Sequence, residues 1–295
     1  MREHDFSARR RRFDDDDPHF VKRSTTHVEE DVVDDGPETG DRWSSWDVPG
    51  VLHGPDPWPD WVITELAAVD TELGMLKTGK EADVHLVERA VPGTDRGVLL
   101  AAKRYRAPEH RLFHRDAGYL DGRRVRATRV NRAMANRTAF GREAIAGQWA
   151  SAEFGALCRL WELGVSVPYP VQLLGTEVML EFLGEPDGAA APRLAQLRPD
   201  PDELADLWRQ LVEALTTLAR VGLAHGDLSP FNLLVHRGRL VLIDLPQVVD
   251  VVTNQAGPEY LARDVRVVAK WFTARGLEVD ADALVSDLLA DAGLR

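Results

Sequence analysis

Apolar residues are sparse and unpatterned as far as residue 57, and fall into short ordered runs from Pro59 onward. Trp61, Ile63, Leu66, Ala67 and Val69 predict a short helix. Strands are predicted at Leu73–Leu76, Val84–Val91 and Val98–Tyr105, separated by a glycine-containing loop and by the turn Pro92-Gly93-Thr94-Asp95. Residues 106–137 show no period and read as a long excursion. A helix is predicted over 139–163, with Ile145, Trp149, Leu157 and Leu160 on one stripe and Gly164 past its end.

Val171–Leu174 and Glu177–Phe182 predict two further strands, followed by a Gly, Ala and Pro-rich linker at 184–192 that reads as a hinge. Asp200-Pro201-Asp202-Glu203 is a helix start, with an acidic cap and proline in the first turn. The stripe behind it is Leu204, Leu207, Trp208, Leu211, Leu215 and Leu218, and Gly222 closes it. Leu233–His236 and Leu240–Ile243 predict a hairpin around Arg237-Gly238, and helices at about 258–275 and 280–292 follow. Strands come mostly first and helices mostly second, which predicts a two-lobed α+β protein rather than a βαβ array. The expected division is an acidic, disordered arm over 1–57, a strand-rich lobe over 58–183 and a short helical lobe over 184–295.

Composition narrows the setting. The 44% apolar content of 295 residues is enough for a substantial core. One cysteine, Cys158, excludes an internal disulfide and a cysteine-cage zinc site, and fits a reducing compartment. With no apolar leader and no run near the roughly 18 apolar residues that span a bilayer, the cytoplasm is the expected location and a membrane is not an expected partner. A net charge of −12 argues against a protein that simply coats nucleic acid. The charge is uneven, with acidic runs before residue 60 and clustered arginine over 103–142. The acidic arm is read as a solvated tail, or alternatively as a segment that docks on those arginines.

The densest chemistry lies in His225-Gly226-Asp227-Leu228-Ser229-Pro230-Phe231-Asn232, which has the H-x-D-x-x-x-x-N spacing of a kinase catalytic loop. That spacing suits a carboxylate that orients an attacking hydroxyl and a carboxamide that ligates a metal between phosphates. If Arg237-Gly238 is a two-residue turn, Asn232 lies opposite Ile243 and beside Asp244, so two oxygen ligands suited to Mg²⁺ converge. Either Asp alone would read as a turn or strand-end residue.

Lys103 ends an apolar strand, as a lysine reaching ATP phosphates would, although strand lysines are commonly edge decoration. Glu153 sits on the apolar stripe of its helix, where a carboxylate is costly unless paired, and Lys103 is the natural partner. Glu143 is the competing choice. Gly74-x4-Gly79-Lys80 mimics a Walker A motif, but Glu81 stands where a Ser or Thr must hold Mg²⁺ and no helix is expected there.

Together these segments resemble the RIO family of atypical serine kinases. Thr78-Gly79-Lys80-Glu81-Ala82-Asp83-Val84 is similar to its S-T-G-K-E-A-[DN]-V loop, His225–Asn232 to H-G-D-L-S-x-x-N, and Ile243-Asp244-Leu245-Pro246-Gln247 to I-D-x-[PS]-Q. Val165-Ser166-Val167-Pro168-x-Pro170 and Glu181-Phe182-Leu183-Gly184 also fit, so the resemblance spans roughly 59–276. It implies a protein-kinase-like fold with a reduced C-terminal lobe. It implies Asp227 as catalytic residue, Lys103 on ATP phosphates with Glu153 paired to it, and Asn232 and Asp244 on Mg²⁺ or Mn²⁺. Thr78, Gly79, Lys80 and Val84 would cover the phosphates. The backbone of Glu181 and Leu183 would hold adenine, with Ala101, Leu180, Leu234 and Ile243 around the ring.

With no winged-helix domain before the kinase, the first subfamily is the closer match, and the Ala/Arg-rich composition suits a bacterial member. Gly226 stands where conventional kinases carry an arginine that reads activation-loop phosphorylation, so that switch is expected to be absent. No A-P-E segment follows Asp244, and the usual peptide platform is expected to be missing. Eukaryotic and archaeal members act in small-subunit ribosome maturation, which makes RNA or a ribosomal particle a candidate partner beside ATP and a protein substrate, the chain itself included.

Two other readings stay open. An aminoglycoside- or choline-type kinase shares H-G-D-x-x-x-x-N but has a larger helical insert than this short lobe allows. An ATPase switch on an assembling particle would keep every phosphate and metal residue. The arginine-rich segment reads as a substrate-closing loop or as an RNA-contacting patch; its few aromatics, Phe113, Tyr119 and Phe140, favour the loop.

Overall fold

A computed structural model describes residues 36–106 and 139–294, and the side chains of 139–142 are outside that description. Residues 1–35 and 107–138 therefore lie outside the described residues, including most of the expected acidic arm and the basic excursion. The described chain combines a curled antiparallel sheet with a smaller helical lobe, the α+β arrangement expected from the order of elements.

The sheet has seven strands: β1 (Arg42–Trp43), β2 (Leu52–His53), β3 (Val69–Thr78), β4 (Ala82–Ala90), β5 (Gly97–Tyr105), β6 (Pro170–Leu174) and β7 (Glu177–Glu181). Their spatial order is β1-β3-β4-β5-β7-β6-β2. Strands β3, β4 and β5 form a continuous meander, and β5 then pairs with β7 so that Lys103 faces Val178. A buried polar network holds the curl. Arg89 on β4 donates to Asp70 on β3 at 2.7 and 3.1 Å and to Gln172 on β6 at 2.8 Å, and Gln172 donates to Ser45 at 2.7 Å. Strands β4 and β6 are three spacings apart, about 14 Å in a flat sheet, so this contact exists only because the sheet bends on itself.

Two expectations need correction. Residues 36–57 are not a disordered arm: Arg42–Trp43 pairs with β3 and Leu52–His53 with β6. Few aliphatics are present there, but tryptophan supplies the burial. Trp46 is only 6% exposed, stacks on His53 at 4.0 Å and meets Trp58 edge-on at 4.9 Å. The helix expected around Trp61–Val69 is absent. Val62, Ile63, Ala68 and Val69 are buried while Leu66 is 75% exposed, so the apolar positions do not share a helical face. The segment instead makes turns closed by Val62 N–H to Pro59 O and Ala68 N–H to Glu65 O before entering β3.

Helix α1 (Ala139–Glu162) joins the two lobes. Its Ala146, Ala150 and Phe154 pack with Ala82, Tyr105, Leu173 and Val178 of the sheet. One to two turns on, Leu157 and Leu160 enter the core of the helical lobe with Leu207, Leu211, Leu218, Leu242 and Phe272. Helix α2 (Pro201–Arg220) starts as its sequence suggests, with the Asp200 carboxylate accepting from the amides of Asp202 and Glu203.

Strand β8 (Leu223–Ala224) pairs with β11 (Val249–Asp250). Between them lies the hairpin of β9 (Leu233–His236) and β10 (Arg239–Leu242). Arg237 and Gly238 have φ of 51° and 76°, the two positive values that a two-residue hairpin turn of matching twist requires. Helices α3 (Gly257–Thr273) and α4 (Ala281–Asp291) complete the lobe. No helix among the described residues is long and apolar enough to cross a membrane.

Removing Arg89 should expose how much the sheet depends on its polar tie. Arg89→Met leaves the Asp70 carboxylate buried with only Arg42 near it, at 3.5 Å. The expected loss is about 3 kcal/mol or more of unfolding free energy in a denaturant titration, and a change below about 1 kcal/mol would show that packing alone holds the curl.

Candidate active site

The sheet and the helical lobe enclose a cleft of about 1350 Å³. Ala101, Leu180, Glu181, Leu183, Leu234 and Ile243 line one part of it, and Gly79, Lys80, Val84, Lys103, Glu153, Asp227 and Asp244 line another. Thus most of the residues singled out from sequence meet in one place. Thr78 is not in the lining; its hydroxyl lies 2.7 Å from the Met75 sulfur. Asn232 lies behind the lining, almost buried.

Lys103 is the centre of this arrangement. Its Nζ donates to Glu153 Oε1 at 2.6 Å and to Asp244 Oδ1 at 2.8 Å. Glu153 is 1% exposed, yet each oxygen is satisfied. Oε2 accepts from the Tyr105 hydroxyl at 2.6 Å, and Oε1 accepts additionally from the Leu245 amide at 3.3 Å. Glu143, the alternative partner, is exposed. Burial opposes the charge on Lys103, but Glu153 and Asp244 outweigh it and hold the ammonium well above the ordinary lysine range. For Asp244 burial pushes the carboxyl up, and Lys103 reverses that, with help from Lys77 and His225, leaving it below the ordinary carboxylate range.

Lys77, on β3, feels the reverse balance. Burial lowers its pKa, Arg193 and Lys103 lower it further by repulsion, and Asp244 only partly compensates. Lys77, Lys103 and Arg193 all line the cleft, and a polyanion would relieve the repulsion among them.

The hairpin delivers the other groups. Ile243 N–H bonds to Asn232 O at 3.0 Å, so Asn232 and Asp244 sit at its open end. Asn232 Nδ2 donates to the Asp227 carbonyl at 2.9 Å, which leaves the amide oxygen as its free acceptor. Asp244 takes a φ of 65°, a left-handed conformation that Asp tolerates better than most residues. A carboxylate with one oxygen on Lys103 and a carboxamide with its oxygen free form a hard oxygen set, which fits a divalent cation such as Mg²⁺.

The loop between β8 and β9 is pinned from α3. Asp264, buried, accepts from the amides of Gly226 at 2.7 Å and Leu228 at 2.9 Å, and so brackets Asp227. His225 lies fully buried, with Nε2 3.1 Å from the Ile243 carbonyl. Asp227 itself is 43% exposed on its side chain and pairs with Arg263 at 2.8 Å.

Sequence reasoning did not single out Tyr105, Arg263 or Asp264 for function. Tyr105 had a signal, since it follows Lys103 by two on a strand and so shares its face. Asp264 had the same signal as Glu153. It lies on the buried stripe of α3 with Leu261, Val265 and Val268, where a carboxylate needs partners. Nothing local marks Arg263.

Comparison with known proteins identifies the family. A family model for the RIO domain matches residues 101–284, more than half of the chain. The RIO-type serine/threonine-protein kinase Rio1 of Haloferax volcanii is 34% identical over 225 residues, covering 76% of this chain and 71% of that protein. The serine/threonine-protein kinase RIO1 of Chaetomium thermophilum is 31% identical over 230 residues, with 74% of this chain and 42% of that protein covered. The RIO1 kinase of Caenorhabditis elegans is 35% identical over 144 residues, 48% of this chain and 28% of that protein. The chain therefore spans less than half the length of these two eukaryotic relatives.

The ion pairs give the site a definite acid response. The depressed value of Asp244 means that its ionised form adds stability fully present above the ordinary carboxylate value near about 3.9 and lost as pH falls through the lower folded value. Lys103→Met leaves Asp244 without that cation at neutral pH, and protonation of its carboxylate relieves the loss. The gap in unfolding free energy between wild type and Lys103→Met should be widest near pH 7 and shrink below about pH 4. A gap independent of pH would contradict the ion-pair account.

Proposed function

Because the chain belongs to the RIO family of serine/threonine-protein kinases, we propose that it moves the γ-phosphoryl group of ATP to a serine or threonine hydroxyl of a protein, itself included. Mg²⁺, or Mn²⁺ in its place, assists. The observation that carries this reading is Lys103 held between Glu153 and Asp244 in a cleft whose mouth presents Asp227. The names of the relatives favour a protein acceptor over an aminoglycoside or choline.

Adenine fits against Ala101, Leu180, Leu234 and Ile243, within reach of the Glu181 and Leu183 backbone. The glycine-containing turn has a reason for its composition: a Cβ on Gly79 would lie 2.8 Å from the Ala82 carbonyl. That turn keeps β3 and β4 close, with Lys80 and Val84 beside the phosphates and Thr78 just outside. Glu153 orients the Lys103 ammonium toward the triphosphate, which supplies a second anion beside Asp244. Asn232 and Asp244 would hold the metal, whose chemistry is to neutralise charge on the phosphate oxygens as the phosphoryl group moves. Asp227 accepts and orients the proton of the incoming hydroxyl. The cytoplasm, where ATP and reduced thiols are plentiful, is the setting that suits this chemistry and the single Cys158.

The test is incubation with γ-labelled ATP and Mg²⁺, following label on protein and free phosphate for wild type, Asp227→Asn and Asp244→Asn. Label on Ser or Thr is expected in wild type and should fall by about 10²-fold or more in both variants. Free phosphate without stable label would replace this reading by an ATPase switch, and no ATP consumption would refute phosphotransfer.

A further inference from the structure

The loop from His225 to Asn232 contains no Lys or Arg. It also has no room for a side chain at 226. Gly226 has a φ of 84°, and a Cβ there would lie 2.1 Å from the Gln247 carbonyl and 3.0 Å from a Val249 methyl. A cation for the Asp227 carboxylate must therefore come from another element. Arg263 of α3 provides it, through a single nitrogen that donates to Asp227 Oδ1 at 2.8 Å and to the Gly226 carbonyl at 3.1 Å.

The helix that carries the guanidinium is itself fixed on the loop. Asp264, next to Arg263, accepts from the amides on either side of Asp227, at Gly226 and Leu228, which fixes the helix backbone against the loop. One helical turn back, the Tyr260 ring lies 5.9 Å from the Arg263 guanidinium carbon, within cation–π range. Adjacent residues on one helix thus grip the same loop by different means, Asp264 through its backbone and Arg263 through its reactive carboxylate. The remaining guanidinium donors give Arg263 a fixed fork that lysine lacks.

Resting on the phosphotransfer reading above, we propose that Arg263 is a positioning residue for Asp227. It fixes which carboxylate oxygen stays free to meet the acceptor hydroxyl, and it supplies the positive charge that the loop itself cannot carry. With a half-exposed pair (48% and 43% on the two side chains), the contact adds little to folding, so its purpose lies in alignment. Misalignment of a catalytic group by about 1 Å can cost 10²-fold in rate.

The experiment uses the full chain and Mg·ATP, with ADP release measured for wild type, Arg263→Ala, Arg263→Lys, Asp227→Asn and the double variant Arg263→Ala/Asp227→Asn. Arg263→Ala is expected to lower kcat by roughly 10- to 100-fold with the KM for ATP within about twofold and the thermal midpoint nearly unchanged. Arg263→Lys should recover part of the loss, and Arg263→Ala should cost nothing further once Asp227 is Asn. Full activity in Arg263→Ala would overturn the inference. So would faster turnover, which would make the pair a block, or an equal loss in the Asp227→Asn background, which would make Arg263 a structural strut. A wild type that turns over no ATP would instead sink the phosphotransfer reading, and this inference with it.

Discussion

The site depends on a carboxylate buried where two cores meet. Glu153 lies on α1 between residues that pack on the sheet and residues that pack in the helical lobe. An ionised carboxylate in that position is tolerable only with every oxygen satisfied. Lys103 of the sheet, Tyr105 two residues on, and the Leu245 amide of the helical lobe together satisfy it. The same contacts therefore solve a desolvation problem and set the sheet, α1 and the Asp244 segment in register.

Other features follow from that register. The Arg89–Asp70–Gln172 network bends the sheet. The positive φ of Arg237 and Gly238 places Asn232 beside Asp244. Asp264 and Arg263 hold Asp227 from α3. The hairpin turn and the α3 contacts are modest in energy, but each fixes a reactive group relative to Lys103, while the Arg89 network holds the sheet that carries that lysine. Positioning of this kind is the main contribution a protein makes to phosphoryl transfer.

Much of this was legible in the sequence because it rested on local rules. The α2 start announces itself in Asp200-Pro201-Asp202-Glu203, and the hairpin in Arg237-Gly238. Glu153 was found because a charge on an apolar stripe asks for a partner. The same question put to Asp264 would have exposed the second anchor. What stayed hidden was non-local. Strands of two residues, such as Arg42–Trp43, carry no period, and their stability comes from Trp46, His53 and Trp58 meeting across the chain. The spacing of Trp61, Ile63, Leu66, Ala67 and Val69 mimicked a helix face, but Ile63 and Val69 are buried through turns that leave Leu66 exposed. Arg263 reaches Asp227 across 36 positions, and no window of sequence contains both.

The most direct measurement is the ATP turnover of Glu153→Gln beside wild type, with a thermal unfolding scan on both. Gln keeps the shape and an acceptor for Tyr105 but removes the charge that holds Lys103. The expected result is a folded protein whose kcat falls by at least about tenfold, because Lys103 is no longer fixed toward the phosphates. A folded variant with wild-type kcat would contradict the claim that this buried ion pair organises the site.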